Sequence, residues 1–155
     1  YVGQILQTLK DLGIAENTLV VWMSDNGPMY DIFPESSSSG YTGGKGDVLE
    51  GGVHVPAIAW WPGIIEPLQI NADLLQVTDM YTTAARIGGA MDEIPTDRVI
   101  DGLEQSSYLM ETTPSRRKYI CHYSGPVDGA IRLGQYKRHL AAAHCGLPGK
   151  DFYDI

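Results

Sequence analysis

Two short stretches of this chain carry side chains able to hold an ion. Met23-Ser24-Asp25-Asn26-Gly27-Pro28 sets a carboxylate beside an amide, at the end of an apolar run from Thr18 and before a glycine-proline turn. Asp25 and Asn26 are hard oxygen donors of the type calcium and magnesium prefer, and a backbone that turns lets both reach one ion. The same residues also suit an Asp-Asn-Gly-Pro turn whose side chains cap backbone amides. Two oxygens do not fill a shell of about six, so a metal here needs further ligands.

The second stretch is Gly43-Gly44-Lys45-Gly46, where one ammonium sits on backbone free to approach a ligand closely. It suits an anionic oxygen, or else it is a solvated lysine in a loop. It is not a phosphate-cradling P-loop, since the Gly-x-x-x-x-Gly-Lys-Ser/Thr spacing is absent. Glu50, ahead of Gly51-Gly52, is either a surface charge or an orienting partner. His54 alternates with Val53 and Val55 and meets either solvent or the site. His122, His139 and His144 share no ligand spacing with a nearby acid or cysteine. No Gly-x-Ser-x-Gly elbow marks a serine hydrolase.

These groups need elements to position them. Ile5, Leu6, Leu9 and Leu12 share one helical face over residues 3–13, and Gly13 stops that helix. Thr18–Met23 reads as a strand buried on both faces of a parallel sheet, and ligands sit outside the carboxyl ends of such strands. Residues 27–52 have no periodicity and read as a long loop of the functional kind. Val53–Trp61 returns as a strand whose start Pro56 disturbs, and Trp22, Trp60 and Trp61 read as core. Leu74, Val77, Met80, Tyr81, Ala84 and Ile87 predict a helix over 71–87 that packs on the sheet. After turns through 117, residues 118–123, 130–133 and 135–140 read as short antiparallel strands split by Gly125, Asp128-Gly129 and Gly134.

Composition narrows the function classes. Eleven basic against nineteen acidic residues give a net charge of -8, which opposes a nucleic-acid backbone. The one basic run, Arg116-Arg117-Lys118, reads as a solvated loop. No apolar stretch approaches the roughly 18 residues that cross a bilayer. Cys121 and Cys145 match no zinc spacing. The ends do not read as domain ends, which suggests a piece of a longer polypeptide.

Taken together, residues 17–28, Gly43-Gly-Lys-Gly46, Glu50-Gly-Gly-Val-His-Val-Pro56, Trp61-Pro-Gly63 and Thr78-Asp-Met-Tyr-Thr-Thr83 resemble, in order and approximate spacing, the type I sulfatase family. Asp101-Gly102, Ala130–Lys137 and Phe152–Ile155 extend the likeness over nearly the whole chain. The resemblance implies an α/β fold, part of an alkaline-phosphatase-like sandwich with a small antiparallel C-terminal sheet. Residues 1–116 would be the C-terminal part of the catalytic domain and 117–155 the start of the C-terminal subdomain.

For function, the resemblance implies an arylsulfatase-like hydrolase of sulfuric esters. Asp25 and Asn26 would be ligands of a calcium ion, with magnesium as the alternative, and Lys45 would contact the sulfate. Glu50 and His54 would stand behind them. The family nucleophile is a formylglycine made within Cys/Ser-x-Pro-x-Arg, a motif missing from this sequence. It is therefore expected upstream, in the rest of the same polypeptide or in a second chain, and this chain alone is expected to be inactive. A sulfate-ester small molecule or sulfated glycan is the implied partner, without nucleic acid. Secretion, the lysosome or the periplasm is the implied location. His54 stands where relatives usually carry arginine, and Thr82 where they often carry proline. A phosphomonoester or phosphonate hydrolase of the same superfamily, and a non-catalytic binding protein on this scaffold, are the alternatives.

Overall fold

The computed structural model describes residues 1–32, 34–111 and 113–140, and the backbone of 152–154. Its elements run in the order α1 (Val2–Asp11), β1 (Val20–Met23), α2 (Glu50–Val53), β2 (Ala57–Trp60), α3 (Asp79–Ile87), α4 (Ser106–Glu111), β3 (Tyr119–Ser124), β4 (Val127–Leu133), β5 (Tyr136–His139) and β6 (Phe152–Asp154). The fold is mixed α/β and carries a small antiparallel sheet at its C-terminal end. It divides into two compact units, residues 1–22 with 58–117, and residues 23–57 with 118–155.

In the first unit α1 forms as its apolar spacing requires, and the chain leaves it through Gly13 at φ 68°. β1 and β2 are hydrogen-bonded neighbours. The strand expected to be buried on both faces is not: Trp22 is 44% exposed, and the rest of β1 is half-buried. Nor are the tryptophans core. Trp22 and Trp60 line an open apolar hollow with Val2, Leu6, Val20 and Ile58, while the Trp61 indole N–H donates to Glu16 O at 2.7 Å. β2 starts immediately after Pro56, which has no N–H for a ladder. Residues 53–56 therefore lie outside it.

The helix expected over 71–87 begins only at Asp79. The reason is where the preceding carbonyls go. Leu74 O accepts the Ser115 hydroxyl at 2.6 Å and Asp73 O the Tyr108 hydroxyl at 3.3 Å, so neither bonds an amide one turn on. The Asp79 carboxylate also reaches back to the Gln76 N–H at 2.9 Å, closing a turn ahead of the helix. The apolar stripe does not decide which face is buried either. Asp79, Thr82 and Thr83 are buried, whereas Val77 and Tyr81 are 68% and 51% exposed.

That buried face belongs to a polar network. Thr83 Oγ1 accepts the Gln105 N–H at 3.0 Å, and the Gln105 side chain donates to Ser115 Oγ and accepts the Arg116 N–H, both at 3.0 Å. Arg117, expected in a solvated loop, is buried, because its guanidinium is paired with Asp79. A buried charge needs such a partner. Gly102 lies where a Cβ would come within 2.2 Å of Thr78 O, so only glycine passes.

In the second unit β3 to β6 form one sheet in sequence order, all antiparallel. Gly125 and Gly134, at φ 60° and 57°, make the two hairpin turns. Asp128-Gly129, expected to separate strands, lies inside β4, where the register slips opposite His122 and Tyr123. Such a bulge lets the ladder continue through a glycine. A Cβ on Gly129 would stand 2.7 Å from Val48 Cγ1, so the sheet meets segment 23–57 closely here. Cys145 and His144 lie outside the described residues.

Candidate functional site

All five residues singled out by sequence, Asp25, Asn26, Lys45, Glu50 and His54, fall in the second unit. β1 ends at Met23, and the turn after it is built by Ser24, whose hydroxyl donates to Asn26 O at 2.9 Å. The Asn26 amide nitrogen donates to Gly27 O at 2.9 Å. Its oxygen end, and the carboxylate of exposed Asp25, accept no hydrogen bond among the described residues. The turn is therefore not one capped by these two side chains. Both keep hard oxygens uncommitted, a donor set that fits calcium or magnesium. Among the described residues no group of three or more His, Cys, Asp or Glu side chains is placed to hold a metal.

Lys45 is exposed, and its ammonium joins no ion pair among the described residues. Its loop is well defined: the Gly44 N–H donates to Asp47 Oδ2 at 3.0 Å, the Asp47 N–H to Gly44 O at 3.0 Å, and the Tyr30 hydroxyl to Gly43 O at 2.9 Å. Gly43 and Gly46, at φ 86° and 94°, take conformations that other residues rarely adopt.

Three backbone hydrogen bonds tie the pieces together. Lys45 N–H donates to Pro28 O at 2.8 Å, Gly27 N–H to Gly52 O at 2.9 Å, and Gly51 N–H to Thr42 O at 2.8 Å. The approach is too tight for side chains. A Cβ on Gly27 would lie 1.7 Å from Gly51 O, and one on Gly51 would lie 1.9 Å from Gly43 O. The strand-end turn, the glycine loop and α2 thus form one backbone cluster.

Glu50 opens α2 and is buried. Its Oε1 accepts from Lys137 Nζ at 2.8 Å, and its Oε2 from Arg132 Nη1 at 2.7 Å. Burial alone would push its carboxyl up, but the Lys137 and Arg132 cations overcome that and hold it below the ordinary range. Arg132 and Lys137 are missed by motif reasoning. The signal was in the hairpin register: the two are cross-strand partners of β4 and β5, and like charges directly opposite require an acid between them.

His54 does not alternate along a strand, because Glu50–Val53 is a helical turn that His54 ends. Its ring stacks on Tyr41 with centroids 4.7 Å apart, and Nδ1 lies 3.5 Å from Glu50 Oε2. His122, to which sequence gave no role, has a buried Nε2 with no partner among the described residues.

A sequence model of the Sulfatase family matches residues 1–90. The chain is 42% identical over 141 residues to the N-acetylgalactosamine-6-sulfatase of Mus musculus, an alignment covering 90% of this chain and 26% of the relative. It is 40% identical over 137 residues to the steryl-sulfatase of Rattus norvegicus, covering 84% of this chain and 23% of the relative. Among solved structures, the PsFucS1 sulfatase from Pseudoalteromonas sp. superposes with a TM-score of 0.86 at 38% identity, over 99% of this chain and 32% of that one. The chain thus spans about a quarter of the length of these curated relatives.

Proposed function

This chain belongs to the sulfatase family, and from that premise we propose that it supplies the metal- and sulfate-binding part of an arylsulfatase-like site for hydrolysing sulfuric esters. The observation that carries the reading is the backbone cluster: Lys45 is hydrogen-bonded through its own N–H to Pro28, two residues from Asn26, while the Asp25 carboxylate, the Asn26 amide oxygen and the Lys45 ammonium stay uncommitted among the described residues.

In this reading Asp25 and Asn26 hold a calcium ion, or magnesium, together with ligands from outside the chain. The bound cation would supply charge neutralisation at the sulfate oxygens. Lys45 donates to a sulfate oxygen and offsets the negative charge that grows as the ester bond breaks; the fixed loop spares reorganisation when it does so. The formylglycine nucleophile comes from elsewhere in the polypeptide or from a second chain, so this chain alone has no turnover. Residues 1–116 belong to the catalytic domain and 117–155 begin the C-terminal subdomain.

The substrate class is a sulfated alcohol, small or glycan. The names of two relatives, which specify an N-acetylgalactosamine-6-sulfate and steryl sulfates, support it. A secreted, lysosomal or periplasmic location goes with it. No helix among the described residues is long and apolar enough to cross a membrane.

The test is turnover of 4-nitrophenyl sulfate by the full-length protein. Chelation is expected to abolish it and added calcium to restore it, while Lys45→Ala is expected to lower kcat/KM by about 100-fold or more. Unchanged turnover in Lys45→Ala and Asp25→Asn removes these residues from the site. Preference for 4-nitrophenyl phosphate would make the parent a phosphomonoester hydrolase instead.

A further inference from the structure

We propose that Lys137, together with Arg132, is a positioning residue of the site: through the Glu50 carboxylate the C-terminal sheet sets the α2 turn against which the strand-end turn and the glycine loop are built. The inference rests on the reading of Asp25, Asn26 and Lys45 given above, and extends it to two cations in a different part of the sequence.

Lys137 is 1% exposed, a rare state for an ammonium, which is tolerated only with a partner. That partner is Glu50, 87 residues earlier, at 2.8 Å. Arg132 takes the other carboxylate oxygen at 2.7 Å, so both oxygens of Glu50 are engaged by cations. The two cations are held in register by the β4–β5 ladder. Glu50 is thus clamped by a rigid hairpin.

The clamp acts on a hub. Gly51 and Gly52 follow Glu50 directly; Gly51 N–H holds Thr42 O and Gly52 O receives the Gly27 N–H. A Cβ on Gly52 would come within 2.3 Å of Asp47 O and 2.5 Å of Gly44 O. With backbones this close, a shift of α2 by a fraction of an ångström must displace Gly27 on one side and Gly44 on the other. Asp25-Asn26 and Lys45 ride on those two segments. Removing one cation leaves the Glu50 charge buried with half its compensation, and the cheapest relief is for α2 to move toward water.

The experiment uses the full-length protein with 4-nitrophenyl sulfate, measuring kcat, KM and the calcium concentration that restores half of the activity after chelation. Lys137→Met is expected to lower kcat about 10-fold or more and to raise that calcium concentration, because Asp25-Asn26 and Lys45 lose their mutual placement. Lys137→Arg is expected to recover most of the loss, since a guanidinium can still donate to Glu50. A folded Lys137→Met protein whose kcat and calcium requirement match the parent overturns the proposal. So does a kcat loss that Lys137→Arg does not lessen. If Lys137→Met fails to fold, Arg132→Gln, which keeps one donor at a partly exposed position, carries the same expectation at smaller size, and an unchanged calcium requirement there overturns it. Loss of turnover in Lys45→Ala and Asp25→Asn alongside a neutral Lys137→Met isolates the failure to this inference. Neutral results at Lys45 and Asp25 defeat the underlying site reading instead.

Discussion

Arg117 and Asp79 form a buried ion pair across 38 residues of sequence, with Nε donating to Oδ2 at 2.8 Å and Nη2 to Oδ1. The same carboxylate accepts the N–H groups of Leu103 and Gln76, at 2.8 and 2.9 Å. It therefore joins the start of α3, the turn at 101–103 and the approach to β3 in one place. Removing either partner strands the other charge. Arg117→Met is expected to destabilise the folded protein by about 3–5 kcal/mol, read as a lowered urea midpoint; a loss under about 1 kcal/mol would show that water reaches the pair.

The pair also sets a pH dependence. Burial alone would raise the Asp79 carboxyl, but the Arg117 guanidinium and the two backbone N–H groups overcome it and hold it below the usual range. A carboxyl lowered on folding contributes stability that is complete above the unfolded value of about 3.9 and is lost as pH falls through the folded value. Melting temperature is expected to drop in that acid window, and Asp79→Asn to flatten its share of the drop. A parallel pair of curves for parent and variant would count against it.

His122 gives the opposite kind of group, a base kept neutral. Burial, with the Lys137 cation next and Arg132 and His139 adding, pushes it down to about 4 despite Glu50. The unfolded chain takes up this proton first, near its ordinary value of about 6.5, so stability falls as pH drops from there toward 4 and is level below. The whole span is worth on the order of 3 kcal/mol. His122→Asn is expected to remove most of the slope between pH 6.5 and 4, and an NMR titration of the ring near its ordinary value would contradict the assignment.

Two glycines make a contrast. Gly51→Ala puts a methyl 1.9 Å from Gly43 O and is expected to cost at least about 2 kcal/mol and to distort the Lys45 loop. Gly3, inside α1 with nothing within 4 Å of its would-be Cβ, is expected to gain about 0.5–1 kcal/mol as alanine. Denaturant midpoints of both variants check the pair; equal effects would mean that the close approach in the loop is not maintained in solution.

His54→Arg tests the position where the resemblance to the sulfatase family implies an arginine. The side chain is 45% exposed, stacks on Tyr41 and lies beside Glu50, and a guanidinium can make both contacts. Stability is expected to change by less than about 1 kcal/mol, since the position is largely solvated. A larger fall in the melting curve would mean that the guanidinium displaces Arg132 or Lys137 from Glu50.

Read alone, the sequence determined the elements whose signals are local: α1 from its apolar spacing, β1 from its β-branched run, and the hairpin turns from Gly125 and Gly134; for β2 it marked the disturbance at Pro56 but set the start four residues early, at Val53. It also carried the family, through the order of Asp25-Asn26-Gly27-Pro28, Gly43-Gly-Lys-Gly46 and Glu50-Gly-Gly. Tertiary structure alone decided the rest. The helix over 71–87 lost its first turns because the carbonyls of Asp73 and Leu74 accept from Tyr108 and Ser115, respectively 35 and 41 residues away, and periodicity holds no information about partners so distant. Arg117 and Lys137 are ordinary surface residues by composition, yet both are buried, because each meets an acid that only the folded chain brings within 3 Å. Local propensity fixes where a segment can bend or extend; where a charge can be buried depends on which opposite charge arrives beside it.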